Sequence, residues 1–345
     1  MRAKQVRAGL GVLLATVLAA CGGGDAAAEE PVTVRLGYLP NITHAPAIVG
    51  IEDGLFAEAL GEDVTLEPTS FNAGSAVIEA VFAGAIDASY IGPNPAINAW
   101  AQSQGEAIRI VAGSTSGGAF LVVREGLDAV EDLRGTRIAT PQLGNTQDVA
   151  LRSYLADQGL VTDTSGGGDI AIVPQENAQT LELFTTGDID GAWVPEPWAA
   201  RLIQEAGGQV LLDERELWPD GRYVTTHLLV RAAFLEAHPD VVSRLLEGHL
   251  DAIEAITDDP EAAQATVNAG IEAITGNQLG DELIAAAWEN LEFTVDPVAS
   301  SLVECASDAE AVGLLDPVDL EGIYALDPLN ELLAERGEEP VEGLE

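Results

Sequence analysis

FAGAIDASYIGPNP at residues 82–95 and FTTGDIDGAWVPEP at residues 184–197 are two versions of one pattern. Apart from one-residue slips, both read Gly-x-Ile-Asp-x-x-aromatic-aliphatic-Pro-x-Pro. Gly84, Ile86, Asp87, Tyr90 and Ile91 carry it in the first copy, and Gly187, Ile189, Asp190, Trp193 and Val194 in the second. An Asn-Ala pair, Asn72-Ala73 or Asn177-Ala178, precedes each copy and opens a helical run. Residues 88–91 and 192–194, just before the prolines, read as short buried strands. A repeat of this kind, about a hundred residues apart, predicts two similar lobes.

Outward from the repeat, each copy gains a strand-turn-helix unit. Residues 32–39 form a strand that ends at Pro40-Asn41, and the following helical stretch closes at Gly54-Leu55. Residues 136–140 form another strand. It ends at Pro141 and leads through Gly144-Asn145-Thr146 into a helix over 147–157, which closes at Gly159-Leu160. Strand-helix-strand units build mainly parallel sheets with helices on both faces, so the predicted class is α/β. Ligands in such sheets bind beyond the carboxyl ends of the strands. The Pro-x-Pro segments and the turns at Asn41, Gly74 and Asn145 all fall there, which predicts a cleft between the lobes. Apolar strands at 119–123 and 226–230 bracket the second copy and read as crossovers. The expected organisation is therefore 32–118 with 228–345 as lobe I and 119–227 as lobe II. After Phe234 the pattern is helical: Val241, Val242, Leu245, Leu246, Ile253 and Ile256 keep helical spacing. Further helices are expected at about 261–274, 281–291 and 299–312.

The first twenty residues set the expected compartment. Arg2, Lys4 and Arg7 precede a short apolar run, and Leu18-Ala19-Ala20-Cys21 offers small residues before a cysteine. This is the pattern of a signal peptide over 1–20, cut before Cys21. It resembles a bacterial lipobox, which implies a lipid on the Cys21 sulfur and hence membrane attachment. Residues 21–31 then form a flexible tether.

Composition removes several functions. The chain has 57 acidic residues against 15 Lys plus Arg, a net charge of -42. Nucleic acid would be repelled by such a surface. Lysine is absent after Lys4, which excludes Schiff-base chemistry. With Cys21 lipidated, Cys305 has no disulfide partner and reads as a small core residue beside Leu302, Ala309 and Val312. His44, His227, His238 and His249 show no metal-ligand spacing, so no metal and no cofactor is expected. Neither a Gly-x-Ser-x-Gly elbow nor a phosphate-binding Gly-x-x-x-x-Gly-Lys occurs.

The chain resembles the substrate-binding proteins of ABC importers for aliphatic sulfonates, taurine and nitrate, a group that also includes binders of thiamine pyrimidines. The resemblance spans about Val32 to about Pro239. Its carriers are Gly50-Ile51-Glu52-Asp53-Gly54-Leu55-Phe56, Phe71-Asn72-Ala73-Gly74, Leu133-Arg134-Gly135-Thr136-Arg137-Ile138-Ala139 and the repeat segments. It implies a periplasmic-binding-protein-like fold of type II. Two α/β lobes would close like a hinge on one small anionic or zwitterionic solute, with an ABC permease and its ATPase as partners. A monomer is expected. A surface enzyme on the same fold and an adhesive surface protein are the competing readings, but no nucleophile–base pair supports the first and the second leaves the cleft-edge repeat unexplained.

The candidate binding residues follow from the strand ends. Gly74-Ser75 and Gly144-Asn145-Thr146-Gln147 sit where a turn becomes a helix, and free N–H groups there suit an anion. Plain capping by Ser75, Asn145 or Thr146 is the alternative. Asn41 and His44 end the first strand, and Gly92 and Asn94 end the strand of the first repeat. Trp193 either walls the pocket or fills the core beneath the turn. Glu196 would suit the amine of a zwitterion or a contact with the permease. Trp198, Thr225, Thr226 and His227 are weaker candidates near the return crossover.

Overall fold

β1 (Val32–Tyr38), β2 (Val64–Ser70), β3 (Ala88–Ile91) and β4 (Ile108–Gly117) begin a six-stranded sheet, described here from a computed structural model. The structure describes residues 32–344; the expected leader, Cys21 and the whole tether over 21–31 lie outside the described residues. A second, five-stranded sheet is built from β5 (Ala119–Val123), β6 (Arg137–Thr140), β7 (Ala171–Pro174), β8 (Gly191–Pro195) and β9 (Gln209–Asp213). The chain then returns with β10 (Val224–Arg231) and β11 (Leu291–Phe293) to complete the first sheet. The strand orders are β2-β1-β3-β10-β4-β11 and β7-β6-β8-β5-β9. Position by position, β1 corresponds to β6, β2 to β7 and β3 to β8.

The repeat motif explains this correspondence. Asp87 donates its N–H to the Arg35 carbonyl of β1, and its carboxylate accepts the Arg35 N–H. Asp190 does the same with Arg137 of β6. Each Asp therefore clamps the last strand of its unit beside the first. Gly84 and Gly187 end the preceding helices with positive φ. Ile86 and Ile189 are buried in the two lobes' cores.

The sheets are mixed rather than mainly parallel. β1, β2 and β3 run parallel, as do β6, β7 and β8, but β5 and β10 pair antiparallel with their neighbours. The reason is connectivity. β4 passes directly into β5 of the other sheet, and β10 returns from β9 through short turns, so neither has the helical crossover that parallel pairing requires. The first passage is made at Gly117 and Gly118. Both have φ in the left-handed region, +80° and +74°, which a residue with a Cβ adopts only with strain. β11 lies in a stretch whose helix ends earlier than the pattern suggests, at Trp288.

The C-terminal helices cover the six-stranded sheet. Helix Pro239–Asp258 packs its Val241, Val242, Leu245 and Leu246 into the cluster that contains Phe56 and Leu60. Helix Ala299–Ala311 packs against helices Pro93–Gln102 and Thr146–Asp157 and so touches both lobes. Cys305 lies in its buried face with Leu302.

Trp193 belongs to the core of the five-stranded sheet. It is fully buried, sits edge-on to Tyr154 and donates Nε1–H to Glu214 at 2.7 Å. Burial pushes the Glu214 carboxyl from its ordinary 4.5 up to about 7; repulsion from Asp213 and Asp308 adds to this, against the Trp193 hydrogen bond. Between those two values the native state holds a proton that the unfolded chain has released. Stability is therefore full below about pH 4.5 for this group and falls as pH rises towards 7. Glu214→Gln keeps an acceptor for Trp193 and cannot ionise. The variant is expected to lose part of that fall, read by thermal melts at about pH 5 and about pH 7.5. Parallel pH dependence in parent and variant would reject this assignment.

Candidate functional site

An interlobe cavity of about 60 Å³ lies at the carboxyl ends of β3 and β8. That is room for roughly four to six water-sized groups, or one compact solute. Both lobes supply its wall. Asn41, His44, Gly74 and Gly92 come from the six-stranded side, and Asn145 and Thr146 from the other. Thr225 and Thr226 of β10 complete the floor. Among the described residues, none that lines the cavity is an Asp, Glu, Lys or Arg.

Several of these groups are donors set by local structure. Helix Gly74–Phe82 starts at Ala73, which has no side-chain cap, so its first-turn N–H groups are left for other partners. Helix Asn177–Thr186 is likewise uncapped at Glu176, and its Asn177 lines the cavity. Helix Thr146–Asp157 differs: Asn145 Oδ1 accepts the Asp148 N–H at 3.0 Å, so the Asn145 side chain is a cap. Thr146 and Gln147 of its first turn still face the cavity. Three helix N-termini converging on one small space favour negative charge there.

His44 adds a fourth donor. Burial drives its pKa down to about 3, so the ring is neutral. Its Nδ1 accepts the Leu39 N–H at 3.3 Å, which places the proton on Nε2. Thr226 Oγ1 and Asn177 Oδ1 are buried with no hydrogen-bond partner among the described residues, and both residues line the cavity. Unpaired buried polar atoms are costly: an oxyanion satisfies the Thr226 hydroxyl, whereas Asn177 Oδ1 only accepts and is satisfied by a solute that also carries a donor, such as the bicarbonate hydroxyl.

Other sequence candidates fall elsewhere. Ser75 and Gly144 line a separate groove with Phe82 and Leu143. Ser75 exchanges hydrogen bonds with Gln142 of the other lobe, and the Gly144 carbonyl accepts from Asn98 at 3.4 Å. These are contacts between lobes. Asn94 is turned away from the cavity and donates Nδ2–H to the Cys305 carbonyl at 3.1 Å. Trp193 fills the core, as above, and does not wall the pocket.

Glu196 is corrected most. It is 1% exposed, and both carboxylate oxygens are occupied. Oε2 accepts the Ala200 N–H at 3.0 Å, capping helix Trp198–Ala206, and Oε1 accepts Asn290 Nδ2–H at 2.9 Å. It is neither a cavity amine partner nor a surface contact. His227 also lies off the cavity, with Nε2 against the Pro297 carbonyl at 3.1 Å. Among the described residues, no group of three or more His, Cys, Asp or Glu is placed to hold a metal.

Gln147, which ends the predicted turn-to-helix run, lines the cavity too, together with Thr43, Asn72 and Asn177, which strand ends alone do not indicate. A signal for two of them was present. Asn72 and Asn177 are the equivalent residues of the repeat, and an exchange of lobes places both on the same cleft.

Residues 27–271 match the NMT1-like family. The chain is 28% identical over 232 residues to the taurine-binding periplasmic protein of Escherichia coli, covering 67% of this chain and 69% of that protein. It is 27% identical over 248 residues to the bicarbonate-binding protein CmpA of Synechococcus elongatus, covering 65% of this chain and 53% of CmpA. Its fold is similar to that of the alkanesulfonate-binding protein SsuA of Xanthomonas axonopodis, solved with MOPS bound. The TM-score is 0.69 at 21% identity, over 84% of this chain and 96% of that one. The nitrate-binding protein NrtA of Synechocystis gives a TM-score of 0.71 at 16% identity, over 89% of each chain.

Proposed function

We propose that this chain, which belongs to the NMT1-like family, is the extracytoplasmic solute-binding component of an ABC importer and captures a small oxyanion between its lobes. The observation that carries this is the interlobe cavity lined by neutral donors at three helix N-termini. Neutral donors and helix dipoles hold an anion without an opposing charge. Relatives that bind taurine and bicarbonate support a solute of this size. An ammonium group would find no carboxylate in the cavity, because Glu196 is sealed elsewhere. A simple anion such as a sulfonate, nitrate or bicarbonate is therefore favoured over a zwitterion. Lipid attachment at Cys21 would keep the chain near the permease and ATPase that receive its solute.

Calorimetric titration of the purified chain with methanesulfonate, nitrate, bicarbonate and taurine tests this. At least one simple anion is expected to bind saturably, and more tightly than taurine. A bound solute at 100 times its Kd adds about 2.7 kcal/mol of stability, read as a higher Tm. No binding of any of the four at millimolar concentration would overturn the reading, and tighter binding of taurine would overturn the preference for a simple anion.

A further inference from the structure

The inner cavity shares Leu39, Asn41, Asn72 and Asn177 with a second cavity of about 390 Å³ that lies outside it. The outer cavity has an apolar side, with Leu181 and Trp198 from one lobe facing Ile271 and Leu279 from the other, and a polar rim that includes Glu176 and Arg201. Trp198 is half-buried and stands at the shared wall. Its Nε1–H donates to Asn41 Oδ1 at 3.0 Å, from one lobe to the other. The Arg201 guanidinium lies over the indole face, 4.8 Å from the ring centre, and is itself paired with Glu205.

An indole nitrogen can only donate, so the atom it meets on Asn41 must be the amide oxygen. That fixes which way the Asn41 amide is turned. Its Nδ2, which has no protein partner among the described residues, is then the group that Asn41 offers to a solute in the inner cavity. The same bond ties the two lobes together where the two cavities adjoin.

We infer that Trp198 is a positioning residue that selects the ligand by length. With the Trp198–Asn41 bond made, Asn41 donates to a compact anion in the inner cavity and the outer space is cut off. With the bond open, the two spaces join, and the apolar side of the outer cavity takes the alkyl or aryl tail of a longer organic anion whose head stays inside. This rests on the reading of the inner cavity as an anion site.

The test compares methanesulfonate with hexanesulfonate by calorimetry in the parent and in Trp198→Phe, which keeps a ring and removes the N–H. Loss of one hydrogen bond to a charged group corresponds to about tenfold in affinity. Trp198→Phe is expected to bind methanesulfonate about tenfold more weakly while hexanesulfonate holds or improves, so the ratio of the two moves in favour of the longer chain. A ratio unchanged from the parent overturns length selection; a merely structural role would weaken both alike. Exchange of the Trp198 indole proton, followed by NMR without any solute, gives a separate readout. It is expected to be slow in the parent and fast in Asn41→Ala, and fast exchange in both overturns the latch. Failure of the parent to bind any sulfonate, with a protected indole, would count against the anion site and not against the latch.

Discussion

Asp87→Ala is expected to lower the Tm at neutral pH by roughly 6 °C, the largest stability loss among polar residues of the repeat. Asp87 is 1% exposed and accepts four hydrogen bonds. Arg35 gives Nε–H and Nη2–H, both at 2.7 Å, and its backbone N–H at 3.2 Å; Arg231 gives Nη2–H at 2.8 Å. Removing the carboxylate leaves two guanidinium groups facing each other. Breaking a buried ion pair costs about 3–5 kcal/mol, and water reaching the partly exposed arginines brings this to the lower end, about 3 kcal/mol. Burial alone would raise the Asp87 pKa, but the hydrogen bonds from Arg35 and Arg231 outweigh it and hold the carboxyl below its ordinary 3.8. Its contribution is therefore present above that pH and is lost as pH falls through the lowered value. The gap between parent and variant is expected to be full at pH 7 and to narrow in strong acid. Asp190→Ala is the control, because Asp190 holds a backbone N–H with its carboxylate and no arginine side chain. It is expected to cost about 1 kcal/mol. Equal losses for the two variants in thermal melts would remove the paired arginines as the cause.

Gly92→Val is expected to cut solute affinity up to about 100-fold while leaving Tm nearly unchanged. Gly92 has an ordinary φ of -71°, so its backbone tolerates a side chain. Space is what fails. A Cβ here would lie 2.7 Å from Thr146 Oγ1 of the other lobe and 3.5 Å from the Thr225 carbonyl. The added methyls would fill the cavity and press the lobes apart. Overpacking costs roughly 1–3 kcal/mol, and here it falls on the approach of Gly92 to Thr146 across the cavity, which converts to as much as about 100-fold in affinity if solute binding requires that approach. Calorimetry on the best simple anion reads the loss. Gly92→Ala with Thr146→Ala is expected to recover part of the affinity lost in Gly92→Ala, since the second change removes the clashing oxygen. Parent-like affinity in Gly92→Val would show that the solute does not sit between Gly92 and Thr146.

Much of the candidate site follows from the repeat. Strand ends and turns bring Asn41, His44, Gly74, Gly92, Asn145 and Thr146 to one cavity, because a parallel strand-helix-strand unit always delivers its turns to the same sheet edge. Ser75 and Gly144 occupy the same turns yet serve the contact between lobes, since one residue's step along a tight turn carries the Ser75 hydroxyl and the Gly144 carbonyl out of the cavity. Trp193 and Glu196 show the limit more sharply. Alternation along β8 puts Trp193 and Val194 on opposite faces without saying which face meets the cleft. Glu196 is sealed by Asn290, 94 residues further on, a partner that no local pattern identifies.

The repeated pattern at 82–95 and 184–197 by itself determined two equivalent units, because the Gly-x-Ile-Asp run specifies local events: a helix end, a buried anchor and a strand clamped beside its neighbour. The tertiary structure alone decided the antiparallel strands, the sealing of Glu196 and the bond from Trp198 to Asn41. Those depend on where the chain crosses between lobes at Gly117-Gly118 and on which distant groups then meet. The frame of the cleft is thus set by local hydrogen bonding and burial, and its contents by contacts between lobes.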